Sequence, residues 1–393
     1  MAPTTTPGKA ATAPADGAGH GSVRIAALDG VRGLAILLVV VNHAGVSRPF
    51  AGGVGGVTMF FVLSGFLITG LLLKEFDRTG RIAFGMFWLR RGVRLLPALW
   101  VFLAVTAIAV SALGIVSGGR SPWHQAFPVF FYYANYAELY GPLDYFEHTW
   151  SLSVEEQFYV IWPVLTLLLL RRIPRRAMTA AMAVVLVGGL LARWSTANTI
   201  DARILADRLL LARSLQTNFW ALGLGALLAC LVSRARWVPR VPSWVGLIVA
   251  AAGLDLLPWL FGAGRAPWYG ASTAPYVFGL TGALLIVVAL RARSGWLTWP
   301  WLTYCGRRSY AWYLYHFPLV WGVGALWPAT AGIGTRLGAV AVALLAAEIS
   351  WHLVERPAQR LLRRWLKRRD RQRGGAPAAP SGPGSLADPS PRA

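Results

Sequence analysis

The sequence has few acidic residues and almost no cysteine. Asp and Glu number 16 against 38 Lys and Arg among 393 residues, which gives a formal net charge of +22. Cys230 and Cys305 lie in or beside apolar segments without the spacing of a metal or redox motif, as is typical of inert packing residues. No phosphate-binding loop, serine nucleophile elbow or metal-ligand spacing is visible. We therefore expect no metal cofactor, and any catalytic group has to come from other residues.

Charged residues are also missing from a series of long apolar runs. The chain is 56% hydrophobic, with a mean hydropathy of +0.51. Runs of about 15–22 residues are long enough to cross a bilayer as helices. The predicted fold class is therefore all-α, a polytopic integral membrane protein with about ten transmembrane helices. The predicted spans are approximately Arg32–Val46, Val54–Leu73, Leu95–Val116, Ser153–Leu170, Ala177–Trp194, Thr217–Val232, Trp244–Phe261, Ala274–Leu290, Tyr310–Trp327 and Leu337–Val354.

The basic residues gather in short loops between these runs, which is the positive-inside pattern of membrane proteins. With both termini in the cytoplasm, the dense basic loops face the cytoplasm. This predicts a multi-pass protein of the cytoplasmic membrane that has no nucleic-acid partner. Four arginines do not fit this arrangement and would face outward: Arg193, Arg203, Arg208 and Arg213.

The chain is predicted to have one membrane domain between two tails. Residues 1–23 are expected to form a disordered cytoplasmic tail, residues 24–358 the membrane domain, and residues 359–393 a basic and then disordered cytoplasmic tail. The aromatic and polar segment 117–149 is predicted as an outer loop with a partly inserted portion. A full span at 127–140 would move the next basic loop to the outside, which the charge pattern opposes.

Two ionisable residues mark the first predicted span. Arg32 at its foot and His43 deep inside it are eleven residues apart, so both lie on one stripe of a helix. Their separation along the helix axis is roughly 16 Å. His43 is either a hydrogen-bonded packing residue or a general base or nucleophile, and Asn42 adds a second polar group at the same depth. Arg32 alone is typical of a topology anchor.

Two adjacent carboxylates, Glu155 and Glu156, begin the fourth predicted span. Ser153 and Glu156 have the spacing of a capping box, in which Glu156 only closes the start of a helix. Capping does not account for Glu155. On the predicted topology these carboxylates and His43 meet in the outer half of the bundle. There a carboxylate orients the imidazole and stabilises its cationic form.

A cluster of three arginines precedes the third predicted span. Arg90, Arg91 and Arg94 are either ordinary positive-inside residues or a cytoplasmic site for the phosphates of a donor such as coenzyme A. The other polar site candidates are Ser64, Ser151, Tyr315 and His316. Of these, Ser64 beside Gly65 is more typical of a close helix contact than of a nucleophile.

Taken together, these motifs resemble the acyltransferase 3 family over about residues 26–357. The resemblance rests on Arg32 with His43, Phe60–Phe66, Arg90-Arg91 with Arg94 and Pro97, Trp150–Leu152 with Glu155 and Phe158-Tyr159, and Ser309-Tyr310 with Tyr313–His316. It implies a ten-helix membrane enzyme that takes an acyl group from cytoplasmic acyl-CoA. The acceptor is a hydroxyl, generally on a sugar of a surface glycan or of a glycosylated natural product such as a macrolide. It also implies that Arg32 and His43 are the family's important pair and Glu155 its conserved glutamate.

We therefore expect O-acyl transfer, with acyl-CoA as the donor substrate and acetyl-CoA favoured. The expected roles place the donor's phosphates on Arg90, Arg91 and Arg94 with Arg32 near the entrance, and a base or acyl carrier at His43, oriented by Glu155 or Glu156. The expected partners are membrane lipid and a sugar-containing acceptor, and the sequence leaves the oligomeric state open. A transporter or flippase is the alternative, because it too uses polar groups at the midplane of a helical bundle.

Overall fold

The computed structural model describes residues 26–46, 52–115, 120–201, 204–234, 242–256, 274–291, 295–330 and 332–374. Within these ranges the chain forms helices and no strand, which confirms the all-α class. The N-terminal tail, residues 375–393 and the last part of the seventh predicted span lie outside the described residues.

Fourteen α-helices follow one another in the described parts of the chain. They are α1 (Ala26–His43), α2 (Gly52–Thr79), α3 (Phe84–Ala112), α4 (Pro122–Phe130), α5 (Ala134–Ala137), α6 (Trp150–Arg172), α7 (Met178–Thr199), α8 (Leu205–Arg213), α9 (Leu215–Arg234), α10 (Ser243–Ala251), α11 (Ala274–Arg291), α12 (Pro300–Leu326), α13 (Ile333–Ser350) and α14 (Arg356–Gly374). Short 3₁₀ segments cover Glu138–Tyr140 and Asp144–Thr149, and a π-helical turn, Trp351–Glu355, joins α13 to α14.

Eight described helical stretches are long and apolar enough to cross a membrane, so the protein is polytopic. Two of the other predicted spans correspond to α12, a helix of 27 residues, and to the shorter apolar helix Ser243–Leu254. The count of ten spans stays a prediction. Residues 127–140 do not span, because they are divided between the end of α4, a turn, α5 and a 3₁₀ segment.

Helices α1 and α2 occupy the centre of the bundle. The first packs against α2, α11 and α12, and the second packs also against α9. Close approach depends on glycine: a Cβ on Gly33 would lie 2.1 Å from the carbonyl oxygen of Leu302, and one on Gly65 would lie 2.0 Å from that of Leu222. Small residues let membrane helices pack this tightly without a hydrophobic driving force. The predicted role of Gly65 in helix contact is thus confirmed.

The predicted start of the first span was wrong. Helix α1 begins at Ala26, so Arg32 is its seventh residue and His43 its last, rather than the foot and the interior. Asp29 lies in the first turn, where a negative charge is favoured by the helix dipole. Gly30 lies inside this helix, where the absence of a side chain allows the Leu297 backbone to approach closely. The helix therefore extends further toward the N-terminus than its apolar pattern indicates.

The arginines at positions 90, 91 and 94 were placed in a basic loop, and this was also wrong. They lie in the first half of α3, and the same helix also contains Pro97. Interior proline is tolerated in membrane helices, because neighbouring groups satisfy the backbone carbonyl that it leaves free. The capping box also fails, since Ser153 is inside α6 and its Oγ accepts a hydrogen bond of 3.1 Å from the amide of Ala134.

Candidate active site

A cluster of histidines surrounds the end of α1. His43 Nδ1 lies 3.1 Å from Nε2 of His316 on α12, and His316 Nδ1 lies 2.7 Å from the carbonyl oxygen of Tyr313. A carbonyl only accepts, so His316 carries its proton on Nδ1 and its Nε2 accepts from Nδ1–H of His43. In the neutral ring this leaves Nε2 of His43 with an unprotonated lone pair. The arrangement therefore presents His43 as a base.

A third histidine, His148, was assigned no role in the sequence analysis. Its ring stacks on Phe317 with centroids 5.0 Å apart, and its centroid lies 5.3 Å from that of His316. His148 Nε2 is 3.1 Å from the carbonyl oxygen of Leu314, and its buried Nδ1 has no hydrogen-bond partner in the described part of the chain. The one sequence signal for a role of His148 is that histidine is rare in this chain, which has 6 of them.

These three rings do not make a metal site. Within the described residues, no group of three or more His, Cys, Asp or Glu side chains could hold a metal ion. The cluster is closed on one side by Phe317, whose ring meets that of His43 edge-on with centroids 5.1 Å apart.

The two carboxylates at the start of α6 do not contact His43, contrary to the sequence-based expectation. Glu155 accepts a hydrogen bond of 2.9 Å from Ser64 Oγ, and its second oxygen lies 3.0 Å from the hydroxyl of Tyr159. That hydroxyl is also 2.7 Å from Ser64 Oγ. Glu156 forms an ion pair with Arg91 at 3.5 Å. Both carboxylates thus belong to a separate cluster.

That second cluster gathers arginines from two helices around Tyr159. The guanidinium of Arg91 lies over the Tyr159 ring. Arg32 is within electrostatic reach of Glu155 and Arg91, and Arg94 is within reach of both arginines. We call Arg32, Arg91 and Arg94 with Glu155 and Glu156 the arginine cluster. Arg90 and Arg94 are both exposed, and Arg94 is counted in the cluster because it is within electrostatic reach of Arg32 and Arg91, whereas Arg90 is not counted in it.

Helices α1 and α6 connect the histidines to the arginine cluster. On α6, Ser151 Oγ lies 2.7 Å from the hydroxyl of Tyr313, one turn before His316, and Glu155 follows Ser151 one turn later. On α1, Arg32 belongs to the arginine cluster and His43 to the histidines. Arg32, His43 and Glu155 each keep partial exposure, although Val31, Ala44 and Val154 beside them are buried. The protein therefore does not enclose these three side chains completely.

The remaining predicted site residues have packing contacts near the two clusters. Asn42 lies against α2, where a Cβ on Gly53 would meet its Oδ1 at 2.5 Å. Tyr315 packs edge-on against Phe102, with ring centroids 5.4 Å apart. Neither contact assigns a chemical role.

An ionic cluster next to the histidines accounts for one of the outward-facing arginines. Arg213 donates to Glu138 and to Glu147, and both acidic residues lie in the 3₁₀ segments before α6. Arg213 and Glu147 are within electrostatic reach of His43. Arg193 is also satisfied, since it donates at 3.1 Å to the carbonyl of Leu211. Arg203 lies outside the described residues.

Glu138 gives the fold a dependence on pH. Burial raises the pKa of this carboxyl to about 7 from an ordinary value of 4.5, although Arg213 acts in the opposite direction. A raised pKa means that the folded state binds the proton more tightly, so stability is lost as the pH rises through 7. We expect Glu138→Gln to flatten the fall in thermal stability between pH 5 and pH 8, measured on the detergent-purified protein. Asp77→Asn, in an exposed ion pair with Arg175, is the control, and an unchanged slope in Glu138→Gln would contradict this assignment.

Comparison with known proteins agrees with this picture. The chain is 30% identical over 356 residues to a protein of Staphylococcus aureus strain COL whose O-acetyltransferase name is provisional, covering 85% of this chain and 57% of that protein. It is 28% identical over 359 residues to the peptidoglycan O-acetyltransferase OatA of Listeria monocytogenes, covering 86% and 56% respectively. It is 29% identical over 360 residues to the O-acetyltransferase OatA of S. aureus NCTC 8325, covering 85% and 57%.

The chain thus spans a little over half the length of these relatives. No solved structure matches it significantly. The sequence profile of the Acyl_transf_3 family, described as an acyltransferase domain, matches residues 25–354, which include both the histidines and the arginine cluster. The chain belongs to this acyltransferase family.

Proposed function

We propose that this protein is a membrane O-acyltransferase that moves an acetyl or other short acyl group from cytoplasmic acyl-CoA to a hydroxyl of a sugar-containing acceptor. The observation that carries the proposal is the hydrogen-bond chain from Tyr313 through His316 to His43. It leaves a ring nitrogen of His43 free to accept a proton, on the same helix that carries Arg32 into the arginine cluster.

The arginine cluster suits the donor's phosphates. Guanidinium groups bind phosphate oxygens through several charge-assisted hydrogen bonds, and Arg32, Arg91 and Arg94 come together from two helices. Glu155 and Glu156 hold this cluster rather than the histidine. Glu156 pairs with Arg91, and Glu155 is fixed by Ser64 and Tyr159 within reach of Arg32. The carboxylates therefore position the donor site, in place of the role first expected for them.

The chemical step assigned to His43 is proton transfer. Its Nε2 takes the proton from the acceptor hydroxyl as the hydroxyl oxygen attacks the thioester carbonyl carbon. The tetrahedral intermediate collapses, the carbon–sulfur bond breaks, and the thiolate of coenzyme A takes the proton back from the imidazolium. His316 keeps the His43 ring in the tautomer that this step needs. In the covalent variant, the same nitrogen carries the acyl group briefly before the hydroxyl attacks.

The direction of transfer follows from the proposed topology. With both termini in the cytoplasm, α1 runs outward, so Arg32 lies nearer the inner face and His43 nearer the outer one. The acceptor is then a surface polysaccharide or a glycosylated natural product such as a macrolide, reached from the outer side. The relatives named as peptidoglycan and other O-acetyltransferases support an O-linked product of this kind.

The test is consumption of the donor. Membranes containing the protein, permeabilised so that both faces are accessible, receive acetyl-CoA or longer acyl-CoAs together with cell extract as the acceptor source, and free thiol is measured. We expect thiol release above that of vesicles without the protein, and the preferred thioester identifies the acyl group. If well-expressed protein consumes no acyl-CoA, the proposal is wrong, and the next hypothesis to test is transport of the acceptor.

Loss of one arginine from the cluster should weaken donor binding. Arg94→Gln is expected to raise the KM for acyl-CoA roughly tenfold to a hundredfold with little change in kcat, because it removes charge-assisted contacts made equally before and during the reaction. Arg78→Gln, an exposed arginine at the end of α2, is the control. Equal KM values for Arg94→Gln and the wild type would contradict binding of the donor's phosphates at this cluster.

A further inference from the structure

The helix that follows α13 and its π-helical turn, α14, is strongly basic. Its sequence, Arg356–Gly374, contains one acidic residue, Asp370, and nine basic ones: Arg356, Arg360, Arg363, Arg364, Lys367, Arg368, Arg369, Arg371 and Arg373. Most of the described basic side chains on it are exposed. They are not neutralised by acidic groups of the same helix, so α14 presents a positive surface.

The helix also exposes an apolar stripe. Leu361 and Trp365, one turn apart, are 63% and 47% exposed, whereas Leu362 and Leu366 on the adjoining stripe are only part-exposed. The guanidinium of Arg369 lies 5.5 Å from the centre of the Trp365 ring. An exposed apolar stripe flanked by cations is typical of a helix that lies in the boundary between lipid headgroups and acyl chains.

The fold fixes where α14 leaves the bundle. It continues from α13 through the π-helical turn Trp351–Glu355, and both that turn and α14 pack against α3. Glu355 is 6% exposed and lies within electrostatic reach of Arg94 and Arg308. The packing of the turn and of α14 on α3 therefore makes the helix leave the bundle in a defined place.

We propose that α14 is a docking surface for anionic phospholipid headgroups of the adjacent leaflet, with Leu361 and Trp365 inserted at the headgroup boundary. The basic charge of α14 complements anionic headgroups, and the helix begins where the apolar helix α13 ends. Clusters of basic residues that begin where a transmembrane helix ends attract anionic lipids. A nucleic-acid partner would use the charge but not the exposed leucine and tryptophan beside it. This inference does not depend on the proposed acyl transfer.

Lipid retention by the full-length protein tests the proposal. The purified protein is exposed to mixed vesicles of phosphatidylcholine and phosphatidylglycerol, re-extracted, and its bound lipids counted by native mass spectrometry. We expect phosphatidylglycerol to be enriched over its share in the vesicles. In a variant with Arg363, Arg364, Lys367 and Arg368 changed to Gln, the enrichment should fall roughly threefold or more.

A matched control separates this surface from general basic charge. The control variant changes the same number of exposed arginines at other helix ends and loops, namely Arg78, Arg81, Arg171 and Arg172, to Gln, and it should keep the enrichment. Leu361→Ser with Trp365→Ser should lower retention without removing charge. If the fourfold variant does not fold, Arg363→Gln with Arg364→Gln takes its place.

Three outcomes would overturn the proposal. One is equal loss of phosphatidylglycerol from the α14 variant and the control. Another is displacement of the lipid by inorganic phosphate, which would assign a free-phosphate site instead. The third is retention of an added oligonucleotide in preference to lipid.

Discussion

Replacing His43 with alanine is expected to lower kcat for acyl transfer roughly a hundredfold to ten-thousandfold. General base catalysis contributes about that much to the rates of enzymes. Alanine cannot accept the hydroxyl proton or carry an acyl group, and the neighbouring His316 is turned toward Tyr313 and His43. The measurement is thiol release from acyl-CoA, in membranes with matched amounts of wild type and variant.

A histidine elsewhere in the chain controls for the loss of an imidazole as such. His124 is exposed on α4, so His124→Ala should keep wild-type rates. Binding of acyl-CoA by His43→Ala should also persist, because the arginine cluster is intact. If the activity of His43→Ala lay within a few-fold of the wild type, His43 would not be the general base.

Replacing His316 with alanine is expected to lower kcat roughly tenfold to a hundredfold and leave the KM for acyl-CoA unchanged. Groups that fix the tautomer and orientation of a reacting histidine have effects of this size. Without His316, Nδ1 of His43 loses its partner at 3.1 Å, and the ring is free to rotate and to carry its proton on either nitrogen. Separate determination of kcat and KM tests this positioning role.

The asparagine variant distinguishes positioning from packing. His316→Asn supplies an amide oxygen that can accept from Nδ1–H of His43, so it should recover part of the kcat lost in His316→Ala. A residue needed only to fill space would be replaced at least as well by leucine, which has about the size of histidine but no acceptor atom, so the positioning role predicts a lower kcat for His316→Leu than for His316→Asn. Equal losses of kcat in the two variants, together with lowered thermal stability, would contradict the positioning role.

The sequence predicted correctly those features that depend on the residues of a single helix. The apolar runs located most of the spanning helices, and the spacing of Arg32 and His43 placed both on one stripe of α1. Gly65 was correctly read as a close contact. Each of these inferences needs only the period of a helix and the preferences of residues in a bilayer.

Pairing between helices could not be read in the same way. Glu155 was expected beside His43, but it hydrogen-bonds Ser64 on α2 because the packing of α2 against α6 brings those side chains together. The partner of His43 is instead His316, 273 positions away. Nothing in the local pattern at either residue specifies that contact.

Helix ends were also misjudged, and the error affected the site. The third span was predicted to begin at Leu95, after Arg91 and Arg94, because the apolar run begins there, yet α3 contains both arginines. Tyr159 and Glu156 provide the contacts that hold Arg91 within that helix. Tertiary partners of this kind override local preference.

Acyl transfer is tested most directly by measuring, in one reaction, the amount of thiol released from acyl-CoA and the amount of ester formed on the acceptor. Purified protein in lipid vesicles loaded with an extract of sugar-containing acceptors receives, from outside, acetyl-CoA labelled in the acetyl group. We predict one base-labile labelled ester in the acceptor fraction for each thiol released, and rates of both products lower by roughly a hundredfold or more with His43→Ala. Movement of acceptor across the vesicle membrane without thiol release or label transfer would contradict the account and identify a transporter.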